Sequence, residues 1–342
     1  MTHSVTVQPS GHIFDVKHDE TVLEAAIRNN VNLPYGCRNG ACGSCKGKII
    51  SGTVDYGDYQ AGTLTDEEKS QGKALFCCAT PLTELTLECR EVGAMHEIAI
   101  RKLPCRVQKI ERPAKDVTVL SLKLPANERL QFLAGQYIDI LMQDGKRRSF
   151  SLANAPHDDE FLQLHIRNYS GSFSTFVFNE LKEKAILRFE GPLGSFFLRE
   201  DSDKPMIFMA GGTGFAPIKG ILEHAFHKEN EREMVLYWGV RAREDLYMAE
   251  LADKWQREHK NFTFIPVLSD PLREDKWQGR TGFVHQAILD DFDNLSGYQV
   301  YACGAPLMVE AGHRAFTQTR KLPDDEFYSD PFTVSVDHTK PK

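Results

Sequence analysis

The sequence predicts a multidomain α+β protein built from three modules. Three observations carry this: a glycine-rich loop holding three closely spaced cysteines near the N-terminus, a central run of short alternating strands, and a last third in which buried strands alternate with helical segments. Short antiparallel strands at regular spacing mark a barrel or sandwich, and strand–helix alternation marks a doubly wound parallel sheet. The expected boundaries are 1–92, a linker at 93–102, 103–200, 201–332 and a tail at 333–342.

Composition narrows the function. Of 342 residues, 41% are hydrophobic and 26% charged, as in an ordinary globular protein. The apolar stretch Met206–Ile218 is broken by three glycines and falls short of the ~18 residues of a spanning helix, so no membrane association is expected. The N-terminus lacks the basic and apolar regions of a secretory signal, which predicts a cytoplasmic address. The 48 acidic and 41 basic residues leave a charge of −7, which argues against nucleic acid as a partner. Eight cysteines in such a chain point to metal or redox chemistry rather than disulfides. Five of them, Cys37, Cys42, Cys45, Cys77 and Cys78, fall in one region; Cys89, Cys105 and Cys303 are isolated.

In the first module, Ser4–Gln8 and His12–Val16 alternate on either side of a Pro-Ser-Gly turn, as a hairpin does. A helix fits Thr21–Asn30, capped by Asp19 or Thr21, with Val22, Leu23, Ala26 and Ile27 at helical spacing. Twelve acidic against eight basic residues put −4 of the net charge here, either a docking face or a solvated surface. Cys37, Cys42 and Cys45 then form C-x4-C-x2-C, and Cys77 follows after 31 intervening residues. This is the ligand spacing of a plant-type [2Fe–2S] cluster, in which each iron takes two thiolates. Gly36, Gly40 and Gly43 permit the tight wrapping. A zinc ribbon or a C-x-x-C redox pair is the alternative, but a ribbon wants two C-x-x-C knuckles, and the adjacent Cys77 and Cys78 supply no second one.

After the charged stretch Glu91–Lys102, strands are expected at CRVQKIERPA, VTVLSLKLP, GQYIDILM, RRSFSLAN, LQLHIRN and ILRFEGP. Arg147–Ser151 joins guanidinium, aromatic ring and hydroxyl on one strand, and Gly171–Ser174 opens a helix whose free N–H groups suit a pyrophosphate. Singly, these read as a solvated edge and a helix cap. In the last third, MIFMA leads into Gly211-Gly212-Thr213-Gly214, with Pro217 in the first helical turn. Tyr237-Trp238-Gly239 and Tyr301-Ala302-Cys303-Gly304 end later strands, where ligands of open α/β sheets bind. An isolated cysteine such as Cys303 otherwise reads as core.

The cysteine spacing, together with Leu75-Phe76-Cys77, resembles plant-type ferredoxins. The Arg-x-Phe-Ser, Gly-x-x-Ser and Gly-Gly-Thr-Gly-x-Ala-Pro segments resemble the ferredoxin-NADP reductase superfamily. The resemblance covers nearly the whole chain and implies a β-grasp ferredoxin domain, an antiparallel Greek-key β-barrel for FAD and an α/β doubly wound parallel-sheet domain for NAD(P)H. It implies Cys37, Cys42, Cys45 and Cys77 as cluster ligands, with Cys78 as the extra thiol. For the flavin it implies Arg148 at the pyrophosphate, Phe150 and Ser151 at the isoalloxazine, Gly171, Ser172, Phe173 and Ser174 as the phosphate turn, and His165 and Arg167 on the strand between. Phe150 stands where the family has tyrosine, so stacking survives but the phenolic hydrogen bond does not. For the nicotinamide cofactor it implies Gly211, Gly212, Thr213, Gly214, Pro217, Tyr237, Gly239, Asp270, Cys303 and Gly304. Ser151, Cys303, Asp330 and Phe332 are the implied catalytic set, the last two shielding the flavin face. The implied activity takes electrons from NADH, with NADPH disfavoured by Asp270, through FAD and the cluster to a protein acceptor. Segments such as RRSFSLANAP and GPLGSFFLRE are similar to reductases serving a deoxysugar dehydrase; the reductase components of aromatic-ring, alkane or phenol oxygenases are the alternative.

Overall fold

The computed structural model describes residues 2–93 and 98–333. Most of the expected tail, and residues 94–97 of the expected linker, lie outside them. The chain divides into a unit ending at Ala99 and a unit spanning Ile100–Phe332.

The first unit begins with the expected hairpin, β1 (His3–Gln8) and β2 (Ile13–Val16). Helix α1 (Val22–Arg28) starts at Thr21, whose hydroxyl caps the Glu24 amide while the Glu24 carboxylate takes the Thr21 amide. This reciprocal cap satisfies two otherwise orphaned donors. Its buried face is Val22, Leu23, Ala25 and Ala26, with Ile27 only partly covered. The other elements are β3 (Lys46–Ser51), β4 (Val54–Asp55), α2 (Asp66–Ser70), β5 (Lys73–Leu75), β6 (Thr80–Pro81) and β7 (Leu85–Glu88). The main sheet runs β2-β1-β7-β3-β5, with β1 and β7 parallel. The first amides of α1 bind the segment around Cys77: Val22 donates to the Ala79 carbonyl and Leu23 to that of Phe76, both at 2.9 Å.

The second unit holds two lobes. Strands β8 (Arg101–Ala114), β9 (Val117–Lys123), β10 (Tyr137–Leu141), β11 (Arg147–Ser151), β12 (Leu162–Arg167) and β13 (Ile186–Leu193) form an antiparallel sheet ordered β11-β10-β13-β8-β9-β12, with α3 (Ser172–Asn179) between β12 and β13. A bridge between Leu152 and Leu164 joins its two ends around an apolar interior that includes Leu120, Ile138, Leu164, Ile166 and Phe189.

The other lobe comprises β14 (Met206–Gly211), α4 (Phe215–His227), β15 (Met234–Val240), α5 (Ala249–Glu258), β16 (Phe262–Leu268), β17 (Arg280–Thr281), α6 (Val284–Asp291), β18 (Gln299–Gly304), α7 (Pro306–Thr319) and β19 (Phe327–Pro331). Its sheet, β17-β16-β15-β14-β18-β19, is parallel throughout. Successive side chains pass to opposite faces. Met206, Phe208 and Ala210 therefore meet α4 and α5, while Ile207 and Met209 meet α6 and α7. The first of these cores continues into the barrel lobe through Val117, Ala134, Phe196 and Leu198.

Candidate functional site

In the first unit the four expected ligands approach as two pairs, Cys37 with Cys42 and Cys45 with Cys77. In each pair one thiol is held below the usual thiol range by the S–H of its partner, Cys42 by Cys37 and Cys77 by Cys45. Backbone geometry fixes the loop. The Phe76 amide donates to the Cys45 carbonyl at 3.1 Å, and the α1 amides grip the chain on both sides of Cys77. Sulfur already accepts main-chain donors, from Cys37 N to Cys42 Sγ at 3.3 Å and from Ala41 N to Cys37 Sγ at 3.4 Å. Gly40, at φ +72°, makes the left-handed turn of the loop. Ser44 Oγ is buried beside Cys42, and its hydroxyl helps to hold the Cys42 thiol down. Among those residues no group of three or more His, Cys, Asp or Glu is arranged to hold a single metal ion. Two thiol pairs with N–H groups aimed at sulfur fit a binuclear iron–sulfur cluster.

In the second unit β11 and α3 bring the two flavin motifs together, with Arg148 Nη2 3.5 Å from Ser172 Oγ. Helix α3 starts at Gly171 without a side-chain cap, and Ser174 Oγ turns back to the Gly171 carbonyl at 3.0 Å. A guanidinium beside uncapped helix amides fits a pyrophosphate. The Phe150 ring lies 5.2 Å from that of Phe173, which is itself buried in the barrel core, so Phe173 can offer a ligand only its backbone.

At the carboxyl end of the parallel sheet, Gly211–Gly214 leads into α4, with Thr213 and Pro217 buried beneath it. Trp238 Nε1 holds the loop through the Gly212 carbonyl at 2.9 Å. Strands β14 and β18 meet almost backbone to backbone: a Cβ on Gly304 would lie 2.7 Å from the Gly211 carbonyl oxygen. The register of β19 on β18 sets Asp330 beside Cys303. Its carbonyl accepts from Cys303 Sγ at 3.1 Å, its carboxylate accepts from Ser151 Oγ at 3.2 Å, and the Phe332 amide donates to the Gly304 carbonyl at 2.7 Å. Ser151, Cys303, Asp330 and Phe332 thus come together from three separate segments. Burial pushes the Cys303 thiol well up, so it sits there as a neutral donor. Asp270, just past β16, is exposed 3.7 Å from the Arg241 guanidinium.

Four expected ligand residues are placed differently. The hydroxyl of Tyr237 is on Asp291 at 2.7 Å and its ring packs in the α6–α7 core, because β15 sends Tyr237 and Trp238 to opposite faces. Gly239 shares the Tyr237 face, where a Cβ would meet the Val284 side chain at 2.7 Å. His165 is buried, with Nδ1 2.9 Å from Tyr247 Oη and Nε2 3.3 Å from Gln163 Oε1. Burial, followed by the Lys219 charge, lowers it to about 3. Arg167 is clamped between Asp116 at 2.6 Å and Asp245 at 2.8 Å, its guanidinium against Gly212. On β12 the alternate residues Leu164 and Ile166 fill the barrel, so His165 and Arg167 turn outward onto the α/β lobe.

Sequence reasoning missed the partners that hold these lobes together. Lys219 is buried in α4, donating to the Ala153 carbonyl at 3.0 Å and to Glu223 at 2.8 Å. A lysine inside the apolar run FAPIKGIL was the available signal. Arg199 lies between the rings of Phe197 and Tyr328, at 3.9 and 4.5 Å, an arrangement no local pattern announces.

Paired thiols in one unit, and a flavin-type and a nicotinamide-type loop in the other, define a redox enzyme of the iron–sulfur flavoprotein class. Residues 5–82 match the 2Fe-2S iron-sulfur cluster binding domain family, 104–198 the oxidoreductase FAD-binding domain family and 208–314 the oxidoreductase NAD-binding domain family. Over 336 residues the chain is 40% identical to the CDP-6-deoxy-L-threo-D-glycero-4-hexulose-3-dehydrase reductase of Yersinia pseudotuberculosis, covering 98% of this chain and 100% of that one. It is 32% identical to the phenol 2-monooxygenase reductase component DmpP of a Pseudomonas strain, over 98% of this chain and 96% of that one. The crystal structure of the Amycolatopsis reductase GcoB superposes with a TM-score of 0.79 at 35% identity, over 97% and 99% of the two chains. The chain belongs to this family of NAD(P)H-dependent iron–sulfur flavoprotein reductases. It binds a [2Fe–2S] cluster, FAD and NAD(H), and passes electrons to a protein acceptor. Among the described residues no helix is long and apolar enough to cross a membrane.

Proposed function

We propose that the acceptor is a dehydrase acting on a CDP-linked 6-deoxyhexulose, so that the chain supplies electrons for removal of a sugar hydroxyl in the cytoplasm, where eight free thiols suit the reducing setting. The observation carrying this is the 40% identity along the full length to the Yersinia dehydrase reductase. The second reading, an oxygenase reductase, is favoured by the likeness to GcoB. Neither nucleic acid nor membrane is a partner in either. The finer fold reading is a β-grasp first unit, then a Greek-key barrel and a doubly wound sheet.

When bound, FAD would supply hydride acceptance and single-electron release, and the cluster one-electron transfer. The protein's part is orientation. Arg148 and the open N-terminus of α3 hold the flavin pyrophosphate, and Phe150 flanks the ring system. Loop Gly211–Gly214 holds the dinucleotide phosphates at the start of α4. The Asp330 carboxylate takes the Ser151 O–H and its carbonyl the Cys303 S–H, so both protons are held back on Asp330 and the hydroxyl oxygen and the sulfur line the place where nicotinamide and flavin would meet. Phe332 covers that place from the β19 side. Cys37, Cys42, Cys45 and Cys77 hold the cluster.

The test is reconstitution. NADH oxidation is followed with a CDP-6-deoxyhexulose dehydrase and its sugar nucleotide, and in parallel with a phenol hydroxylase oxygenase component and phenol. Dehydrase-dependent turnover is expected. Turnover only with the oxygenase would overturn the first reading in favour of the second.

A further inference from the structure

Beside the two thiol pairs lies a fifth thiol. The amides of Cys78 and Ala79 both donate to the Leu75 carbonyl, at 2.9 and 2.8 Å. That single tight turn brings the adjacent side chains of Cys77 and Cys78 to an Sγ–Sγ distance of 3.6 Å. Glycines make the seat. A Cβ on Gly40 would lie 2.7 Å from Cys78 Sγ, and one on Gly57 would lie 2.5 Å from the Cys78 carbonyl oxygen. Any side chain at either position would push Cys78 away from the cluster loop.

We propose that Cys78 is a hydrogen-bond donor to the ligating sulfur of Cys77 and raises the reduction potential of the cluster. The proposal rests on the reading of Cys77 as the fourth ligand. In the free chain either sulfur can donate. A metal-bound thiolate carries no proton, so with the cluster in place only Cys78 can be the donor. A donor to a ligating sulfur draws electron density from the iron, and it favours the reduced cluster, which carries one more negative charge. Backbone N–H groups already do this for Cys37 and Cys42. Cys78 adds a side-chain donor on the other pair.

The experiment is a potentiometric titration of the reduced-cluster EPR signal in the cluster- and FAD-loaded full chain, comparing the wild type with Cys78→Ala, Cys78→Ser and Cys77→Ala. Cys78→Ala is expected to keep its cluster, with the midpoint shifted to more negative potential and the fraction of cluster reduced by NADH lowered. Cys78→Ser, which retains an O–H donor, should recover part of the shift. An unchanged midpoint in Cys78→Ala overturns the proposal, as does loss of the cluster in both Cys78 variants, which would make the residue structural. Retention of the cluster in Cys77→Ala with loss in Cys78→Ala would instead refute the ligand assignment beneath it.

Discussion

Substituting Gly214 by alanine tests whether the nucleotide loop and the end of β18 form one rigid assembly. An added Cβ would stand 2.1 Å from the Cys303 carbonyl oxygen, 2.5 Å from its carbon and 2.8 Å from the Gly304 nitrogen. All three are main-chain atoms, so no rotamer change relieves the contact. Real Cβ atoms essentially never come within 3.0 Å, so loop and strand end must part by about 0.9 Å. Overpacking of this kind costs about 1–3 kcal/mol, at roughly 2–4 °C of melting temperature per kcal/mol for a unit of this size. The displaced atoms belong to Cys303 and, through the β18–β19 register, neighbour Asp330. A misplacement near 1 Å is expected to lower kcat/KM for NADH with ferricyanide by about 10²-fold, or about 2.7 kcal/mol. FAD, held by the barrel, should stay bound. Gly297→Ala is the control: nothing lies within 4 Å of its added Cβ, and its effect should stay within ~0.5 kcal/mol. Melting temperature and kcat/KM both indistinguishable from the wild type in Gly214→Ala would refute the reasoning.

Asp270 predicts a preference for NADH, and Asp270→Ser should narrow the kcat/KM ratio of NADH to NADPH by freeing Arg241 for a 2′-phosphate; a wild-type ratio at or below one contradicts this. Cys42→Ser should lose the cluster and keep FAD, sparing ferricyanide reduction while cytochrome c reduction collapses. Equal loss of both would mean that cluster and flavin do not act as separable modules. His165, held down to about 3 by burial, is neutral in the native protein while its unfolded form takes a proton below about 6.5. Stability from this residue is therefore complete above that pH and falls towards pH 3 by up to ~1.4 kcal/mol per pH unit. Urea unfolding of His165→Gln between pH 7 and 4.5 should lose that share of the slope; an identical slope would show that the residue is not the source.

Legibility followed the range of the interaction. The Cys37–Cys45 spacing and the Gly-Gly-Thr-Gly loop are local, because three of the four expected thiols and the amides that would surround a phosphate each lie on one short loop, and the fourth thiol, Cys77, was legible only through Leu75-Phe76-Cys77. The hairpin and α1 were readable for the same reason. The fate of Tyr237 was not, since β15 is apolar on both faces and gives no periodic sign of which one meets the ligand; on β12 the alternation does turn His165 and Arg167 out of the barrel, but their partners Tyr247, Asp116 and Asp245 are distant in sequence. The bond from Ser151 to Asp330 joins residues 179 positions apart, and only the pairing of β19 with β18 creates it. Tyr247 lies just before α5 and reaches His165, 82 positions away.

Among the described residues strand β19 is the sheet's edge, paired with β18. Its residues follow in sequence the described partners they contact, Ser151, Arg199 and Cys303. Domains fold in the order they emerge, so the barrel and the thiol loop have time to assemble before Asp330 reaches Ser151. With Asp330 and Phe332 serving the nicotinamide site as proposed, a chain in which Tyr328 has not yet docked on Arg199 lacks the last side of that site, so completion of the hydride-transfer half is expected to trail folding of the barrel.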